Sequence, residues 1–188
     1  MQQQTASQTV GPYFRIGMIR GGENTLVHDE TTGERIYIKG RVLDGDGQPV
    51  PDACIEIWQA DAQGNFNHPA DPKHEQADPN FRGFGRSETT GQGFWFKTIK
   101  PGVVSGPNGK AQARHINVTV FSRGMLIHAI TRLYFSDETA NESDPVLSTV
   151  PPERRETLIA QREDFGDVPT YIFDIYLQGD QETVFFNP

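Results

Sequence analysis

The stretch that decides the fold is residues 115–135, HINVTVFSRGMLIHAITRLYF. Two short segments of alternating character flank a Ser-Arg-Gly sequence, and alternate side chains of an extended strand point to opposite faces of a sheet. Ser and Gly favour a tight turn between the two segments. The stretch therefore predicts a β-hairpin with Arg123 at or near its tip.

The rest of the chain repeats this pattern of short segments punctuated by glycine and proline. Further alternating segments lie at 35–50, 52–60, 93–102 and 170–179. In 52–60, DACIEIWQA, the residues Ala53, Ile55 and Ile57 share one face of the predicted strand. Many short alternating strands separated by turns favour an all-β protein, and we predict an antiparallel β-sandwich of two packed sheets.

Three regions depart from this pattern. Residues 1–34 show little periodicity, so we predict an extended N-terminal arm with loops, followed by a single β-sandwich domain over 35–188. Residues 61–93 are polar and predict a long loop, which in a compact domain is usually functional or covered by a partner. Residues 151–162, PPERRETLIAQR, predict the one short helix, with proline at its start and Leu158 and Ile159 on a buried stripe.

Composition excludes several classes of function. The formal net charge is −8, which disfavours nucleic acid and anionic membranes as partners, because both need clustered lysine and arginine. The single cysteine, Cys54, allows no intrachain disulfide and fits a reducing compartment. No apolar run reaches the length of a transmembrane helix, and the first residues lack the features of a signal peptide. We therefore expect a cytoplasmic protein.

His115 and Asn117 raise the question of a metal. They are two residues apart on a predicted strand and so point to the same face. Two histidines at this spacing would offer two nitrogen ligands, whereas one histidine and one asparagine offer only one good ligand. The spacing alone leaves open whether the chain binds a metal, has lost one, or never had one.

Five stretches in order resemble the intradiol ring-cleaving dioxygenases. They are IEIWQADAQGNF (55–66), DPNFRGFGR (78–86), GFWFKTIKPG (93–102), RHINV (114–118) and TRLYF (131–135). The resemblance extends from about Gln8 to Phe186 and is specific because the whole set occurs in one order. It implies an all-β fold and an O₂-dependent opening of a catechol ring between its two hydroxyl-bearing carbons.

The resemblance also implies a ferric ion bound by two tyrosines and two histidines. Phenolate oxygens suit Fe(III), which is a hard Lewis acid. At the four positions that match these ligands the sequence has Phe66, Val103 or Val104, His115 and Asn117. Phenylalanine and valine have no ligating atom, so we expect no iron in this chain, with Val104 as the favoured second position.

Some intradiol enzymes consist of two related chains, of which only the β chain binds Fe(III). Three stretches are similar to the iron-free α chain of such an enzyme: SQTVGPY (7–13), FSRGMLIHAITRLYF (121–135) and ETVFFNP (182–188). The resemblance implies an iron-bearing β chain as partner in a higher-order αβ oligomer, and protocatechuate and O₂ as substrates. This chain would line one wall of the shared active site through Thr9, Gly11, Pro12, Tyr13 and Arg123. Arg123 would bind the ring carboxylate that distinguishes protocatechuate from catechol.

Two alternatives remain open at this point. A single-chain dioxygenase could use a different metal set, such as His115, His128 and one of the tyrosines, although no tyrosine occurs between residues 38 and 133. A β-sandwich binding or carrier module without a redox partner is the other alternative. His68 and His74 lie among acidic residues in the long loop and could bind a divalent ion, but solvated loop residues are the simpler interpretation.

Overall fold

The computed structural model describes residues 16–90, 93–106 and 109–187. The described residues are mostly strands, as the sequence predicts. The strands are β1 Arg35–Gly40, β2 Val42–Leu43, β3 Cys54–Trp58, β4 Phe84–Glu88, β5 Phe94–Ile99, β6 Val104–Ser105, β7 Ala111–Gln112, β8 His115–Phe121, β9 Ala129–Phe135, β10 Ile159–Glu163, β11 Thr170–Ile172 and β12 Ile175–Tyr176. The 3-10 helices are His74–Gln76, Thr139–Ser143, Leu147–Thr149 and Pro152–Leu158.

Eight strands form one continuous sheet in the order β4-β3-β8-β9-β10-β11-β1-β5. The two ends of this sheet approach each other, since the backbone N–H of Trp95 on β5 donates to Ser87 Oγ on β4 at 3.3 Å. The sheet therefore curls around its own apolar face, in a sandwich-like arrangement with the core between its two halves. The short pairs β2–β12 and β6–β7 lie outside this sheet.

The seam between β4 and β5 is bridged by residues 23–26. The carbonyl of Glu23 accepts from the N–H of Arg86 on β4 at 3.1 Å, and the carbonyl of Asn24 accepts from Lys97 on β5 at 2.8 Å. The N–H of Leu26 then donates to the Lys97 carbonyl at 2.9 Å. This segment satisfies backbone groups that two sheet edges would otherwise expose.

The described residues form one large cluster of buried apolar side chains from both halves of the sheet and a smaller second cluster around Tyr134, Leu147 and Leu158. Alternation decides which residues of β3 and β8 enter the large cluster, because their inward positions are Ile or Val. Ile55 and Ile57 on β3 are buried as predicted. Representative members from the other strands are Ile38, Phe96, Val118 and Leu133.

The predicted hairpin is confirmed, with a longer connection than a tight turn. β8 and β9 pair in antiparallel register from His115 opposite Tyr134 to Val120 opposite Ala129. Residues 122–128 form the connection, and Arg123 lies in it. His128 precedes β9 and is exposed, so an interpretation that places it within the strand is wrong.

Several element predictions are corrected by the structure. The helix predicted over 151–162 is a 3-10 helix that ends at Leu158, because Ile159 and Ala160 pair in parallel with Tyr134 and Phe135 on β9. The predicted loop over 61–93 contains β4, which pairs with β3. The single strand predicted over 170–179 is divided into β11 and β12.

The prediction of purely antiparallel sheets misses three parallel pairings. β1 pairs with β11, β9 with β10 and β2 with β12 in parallel. Parallel neighbours need a long connection that returns the chain to the same end of the sheet, and residues 136–158 supply it between β9 and β10. Alternation along a single strand carries no information about the direction of its neighbour.

The predicted boundary between an N-terminal arm (1–34) and the β domain (35–188) coincides with the start of β1 at Arg35. The division itself stays a prediction, since residues 23–26 are part of the seam. Thr9, Gly11, Pro12 and Tyr13 lie outside the described residues. Among the described residues, none of the helices has the length and apolar content that a bilayer-crossing segment requires.

Gly40→Ala tests the close packing where β1 ends beside the segment before β12. A Cβ on Gly40 would overlap the carbonyl oxygen of Phe173 and lie 2.8 Å from Phe94 Cζ. We expect the free energy of unfolding to fall by about 2–3 kcal/mol, because backbone has to move to make room. Chemical denaturation measures this change. Gly17→Ala, where a Cβ meets nothing within 4 Å, serves as the matched control and should leave stability nearly unchanged.

Candidate functional site

The candidate site lies on the outer face of β3, β8 and β9. Trp58 is opposite Asn117, and Asn117 is opposite Arg132, so the three side chains form one row across the strands. Residues directly opposite each other in an antiparallel pair share a face. The neighbouring row contains His115 and Tyr134. Both rows lie on the outer face because the alternate residues of β8, such as Val118, have their side chains in the core.

Phe66 is brought to this row by the loop that follows β3. Its ring stacks on Trp58 with a centroid distance of 5.7 Å and an interplanar angle of 15°. The carboxylate of Asp71 accepts from the N–H of Phe66 at 2.8 Å and from the N–H of Lys73 at 2.8 Å. The bond from Lys73, and to a lesser extent that from Phe66, holds the Asp71 pKa below its usual value. A charged Asp71 therefore positions this part of the loop.

Val104 joins the same cleft from the opposite side. Its side chain lines an open cleft of about 470 Å³ together with Trp58, Phe66 and His68. Val104 is 8% exposed whereas Val103 is 47% exposed. Of the two valines left open by the sequence, Val104 is the one that lines the same cleft as Phe66.

Gln112 connects Val104 to the row on β8 and β9. It is opposite Val104 in the β6–β7 pair. Its Oε1 accepts a hydrogen bond from Arg132 Nη1 at 2.7 Å. Phe66 and Val104 line one cleft, and Asn117 and His115 lie on the adjacent strand. Arg132 is linked to three of these positions: it is opposite Asn117, its hydrogen-bond partner Gln112 is opposite Val104, and its charge acts on His115.

His115 is a buried, neutral histidine. Its side chain is 6% exposed, and Nδ1 lies 2.8 Å from the carbonyl oxygen of Ala113, which can only accept. Nδ1 therefore carries the proton. Burial is the main cause of a His115 pKa of about 4; the hydrogen bond to Ala113 opposes this shift, and the positive charge of Arg132 adds to it. The ring is 5.8 Å from that of Tyr134.

Asp144 holds the surroundings of His115 in place. It is 1% exposed and accepts hydrogen bonds from the Tyr134 hydroxyl at 3.0 Å and from the N–H groups of Ala113 and Leu147 at 2.8 and 2.7 Å. Burial raises the pKa of Tyr134, so its hydroxyl stays protonated and donates. The carboxylate thus ties β9 to the segment before β8 and to the 3-10 helix at Leu147.

The residues present do not fit the ferric site that the sequence resemblance implies. Phe66 and Val104 offer no ligating atom, Asn117 offers only a neutral amide, and His115 alone offers an imidazole. Arg132 adds a positive charge to the same region. In residues 16–90, 93–106 and 109–187, no group of three or more His, Cys, Asp or Glu side chains could hold a metal ion.

Arg123 lies far from this region, in the hairpin connection. Its side chain is 64% exposed, and Nε is 2.9 Å from Asp52 Oδ2. The other carboxylate oxygen, Asp52 Oδ1, is buried without a hydrogen-bond partner among the described residues. Leu126 and Ile127 in the same connection are 79% and 61% exposed. The connection thus presents one arginine and two large apolar side chains to the outside.

The geometry also bears on the alternative metal sets. His115 lies opposite Tyr134 on β9. Tyr134 follows His128 by six residues, so His115 and His128 are separated by about 20 Å along the strand direction. Histidines this far apart cannot bind one ion, so the described structure does not support a site made of His115 and His128. His68 packs edge-on against Trp58 at 6.0 Å, and His74 is exposed in a 3-10 helix.

Three residues of the site were missed by sequence reasoning. Arg132 and Gln112 became visible only through the strand registers, because a tight turn at Ser122–Gly124 would have placed Asn117 opposite Ala129, whereas the longer connection places it opposite Arg132. Asp52 gave no signal in the sequence, since nothing in its spacing relates it to Arg123. The Cys54 thiol is buried, and burial raises its pKa to about 12.

A family model described as Dioxygenase matches residues 9–179 of the chain. A protocatechuate 3,4-dioxygenase alpha chain from Pseudomonas putida is 43% identical, over 98% of this chain and 96% of its own length.

The chain belongs to the intradiol dioxygenase family.

Members of both chain types of one enzyme are similar to this intradiol chain. A protocatechuate 3,4-dioxygenase beta chain from Burkholderia cepacia is 35% identical, over 86% of this chain and 72% of its own length. Among solved structures, the dioxygenase domain of a dioxygenase–carbohydrate-binding protein fusion from Streptomyces sp. SirexAA-E is 24% identical with a TM-score of 0.64, covering 94% of this chain and 99% of that domain. That similarity supports the all-β fold. Intradiol dioxygenases generally use Fe(III), an ion that Phe66, Val104 and Asn117 of this chain do not fit.

The neutral state of His115 predicts a pH dependence of stability. The folded-state pKa of about 4 lies below the unfolded value of about 6.5. The stability that depends on a neutral His115 is therefore fully present above pH 6.5 and is lost as the pH falls toward 4. The loss should reach about 3 kcal/mol. Denaturation of the wild type and of His115→Gln at several pH values measures it, and the difference between them should shrink as the pH falls. His74→Gln, at an exposed site, is the control. A constant difference between wild type and His115→Gln would contradict the prediction.

Proposed function

We propose that this chain is the non-iron-binding α subunit of a protocatechuate 3,4-dioxygenase. The heteromeric enzyme would convert protocatechuate and O₂ to 3-carboxy-cis,cis-muconate. Fe(III) and its ligands would belong to an iron-bearing β subunit, and this chain alone would be inactive. The observation that carries the proposal is the pairing of a ligand set that does not fit iron with an exposed arginine in a hairpin connection of the same chain.

Arg123 is suited to bind a carboxylate outside its own subunit. The Asp52 carboxylate meets only the Nε edge, at 2.9 Å, and a guanidinium has further N–H donors on its two Nη atoms. Those donors can bind a carboxylate in the bidentate fashion that arginine favours. The local positive charge would attract an anionic substrate despite the net charge of −8.

The position of Arg123 supports a site shared between subunits. Asn117 lies near the start of β8 and Arg123 follows its end, so the length of the strand separates Arg123 from the degenerate region of its own chain. Exposed Leu126 and Ile127 are the kind of large apolar side chains that protein interfaces bury. We propose that this connection, together with Thr9, Gly11, Pro12 and Tyr13, forms one wall of the β subunit's active site.

The wider setting of the proposal follows from the sequence. We propose an assembly of several αβ units, with no nucleic-acid or membrane partner, in the cytoplasm. The single cysteine and the acidic composition support this setting. No observation favours the carrier-module alternative, which leaves the family similarity over residues 9–179 without a role. A single-chain dioxygenase with altered ligands is disfavoured by the distance between His115 and His128.

Arg123→Ala should weaken protocatechuate binding in the αβ complex by about 1.5–3 kcal/mol, because a charged hydrogen bond to the ring carboxylate is lost. Steady-state kinetics with protocatechuate measures the change in KM. Catechol, which lacks the carboxylate, is the matched control substrate, and its KM should change little. Unchanged KM and kcat for protocatechuate would show that Arg123 does not contact the substrate.

Asp52→Asn should raise the KM for protocatechuate by about 2–5-fold while kcat stays nearly constant, since a surface ion pair contributes up to about 1 kcal/mol to the orientation of Arg123. Asp174→Asn is the matched control, because Asp174 pairs with Arg41 elsewhere on the surface. If Asp52→Asn leaves KM unchanged while Arg123→Ala raises it, Asp52 does not position the guanidinium.

A further inference from the structure

A permanent cation, Arg132, lies next to the degenerate ligand positions on β8 and is linked through Gln112 to Val104. We propose that the Arg132 guanidinium replaces the ferric ion in this chain, cross-linking the site as a metal would and excluding metal from it. The inference rests on the alignment of Phe66, Val104, His115 and Asn117 with ligand positions. It is independent of any role of Arg123 in substrate binding.

The register of the strands fixes where Arg132 lies. It is directly opposite Asn117, which is itself opposite Trp58, the residue whose ring stacks on Phe66. It is two residues from Tyr134, the partner of His115 in the neighbouring row. Each β8 position that would carry a histidine ligand is therefore beside Arg132 or one row away.

A hydrogen bond completes the connection to the remaining position. Arg132 Nη1 donates to Gln112 Oε1 at 2.7 Å, and Gln112 is opposite Val104 in the β6–β7 pair. The guanidinium thus ties β9 to β7 across the region that two ligand tyrosines and two histidines would enclose. A metal ion would hold these same segments together through its ligands, and the arginine does so through a directional hydrogen bond.

The charge of Arg132 is permanent and is not cancelled by a neighbouring carboxylate. An arginine guanidinium stays protonated at any pH a protein survives. In the part of the chain that the structure describes, no carboxylate forms an ion pair with Arg132. The nearby acid, Asp144, is occupied by the Tyr134 hydroxyl and by backbone N–H groups.

A fixed positive charge opposes metal binding strongly. The repulsion between a guanidinium and a trivalent ion a few ångströms away is three times that felt by a monovalent ion, and it is screened poorly in a partly buried site. The missing ligands and the positive charge of Arg132 therefore both lower the affinity of this region for a metal ion. Restoring the ligands alone should fail to restore iron binding.

The first experiment restores the ligands with and without the charge. The full chain is produced alone with ferric ion supplied, as Phe66→Tyr/Val104→Tyr/Asn117→His in the presence of Arg132, Arg132→Lys or Arg132→Gln. Elemental analysis gives iron per chain, and visible absorption detects the red-brown colour of tyrosinate bound to Fe(III). We expect less than about 0.1 iron per chain with arginine or lysine, and about one with glutamine.

The control adds Arg114→Gln to the restored ligands instead. Arg114 adjoins His115 in sequence, but its guanidinium donates to the Pro101 carbonyl at 2.7 Å and faces Glu138. Its removal should leave the chain without iron.

Iron bound in the presence of Arg132, or equal iron uptake on loss of Arg114, would overturn the proposal. So would absence of iron from every variant that unfolds cooperatively like the wild type.

A smaller change tests the same point if the triple variants do not fold. Asn117→His supplies two histidines on one strand face, and Co²⁺ is the probe because its visible spectrum reports nitrogen ligation. The Co²⁺ dissociation constant of Asn117→His should fall at least about tenfold when Arg132→Gln is added, and should not fall with Arg132→Lys. Equal affinity in all three chains would show that the charge does not exclude metal.

Discussion

The register between β8 and β9 is the constraint on which the rest of the structure depends. With His115 opposite Tyr134 and Asn117 opposite Arg132, every Ile and Val of β8 enters the core and every polar residue faces outward. A slip of one residue would exchange the two faces completely, because side chains alternate with a period of two. Packing of the Ile and Val side chains in the core therefore fixes the strand register, and this register places the residues of the candidate site on the outer face of the sheet.

The same hairpin separates two chemically different regions. Near one end, His115, Asn117 and Arg132 form a densely connected region in which the histidine is neutral and the arginine supplies the charge. At the other end, the connection carries Arg123 on a surface with exposed apolar side chains. The proposed role of the second region does not require a ligand set for iron, because Arg123 follows the end of β8 whereas His115 and Asn117 lie near its start. This separation is the physical basis on which the proposed function rests.

Contacts within the chain connect the segments of the outer face that carry the four ligand-equivalent positions. Ring stacking of Phe66 on Trp58 and the Arg132–Gln112 hydrogen bond connect segments that a metal would otherwise hold. Asp144 fixes Tyr134 and the segment before β8 with a buried, fully used carboxylate. Polar groups left unpaired in a buried region cost free energy of folding. Here the Arg132 guanidinium, the Asp144 carboxylate and the His115 Nδ1–H each have a hydrogen-bond partner within the chain.

Much of this protein followed from the sequence by itself. Strict alternation identified β3, β5 and the hairpin, and the residue types at 66, at 103 or 104, and at 117 led to the expectation that this chain lacks a ferric ligand set. The sequence did not predict the parallel pairings, the strand β4 within a polar stretch, or the end of the 3-10 helix at Leu158. Those depend on which distant strand lies alongside, and local propensity is overruled when backbone groups such as those of Ile159 find a partner in the sheet. Nor did it relate Arg132 to Gln112 or Asp52 to Arg123, because such contacts join residues 20 and 71 positions apart and exist only once the sheet has closed.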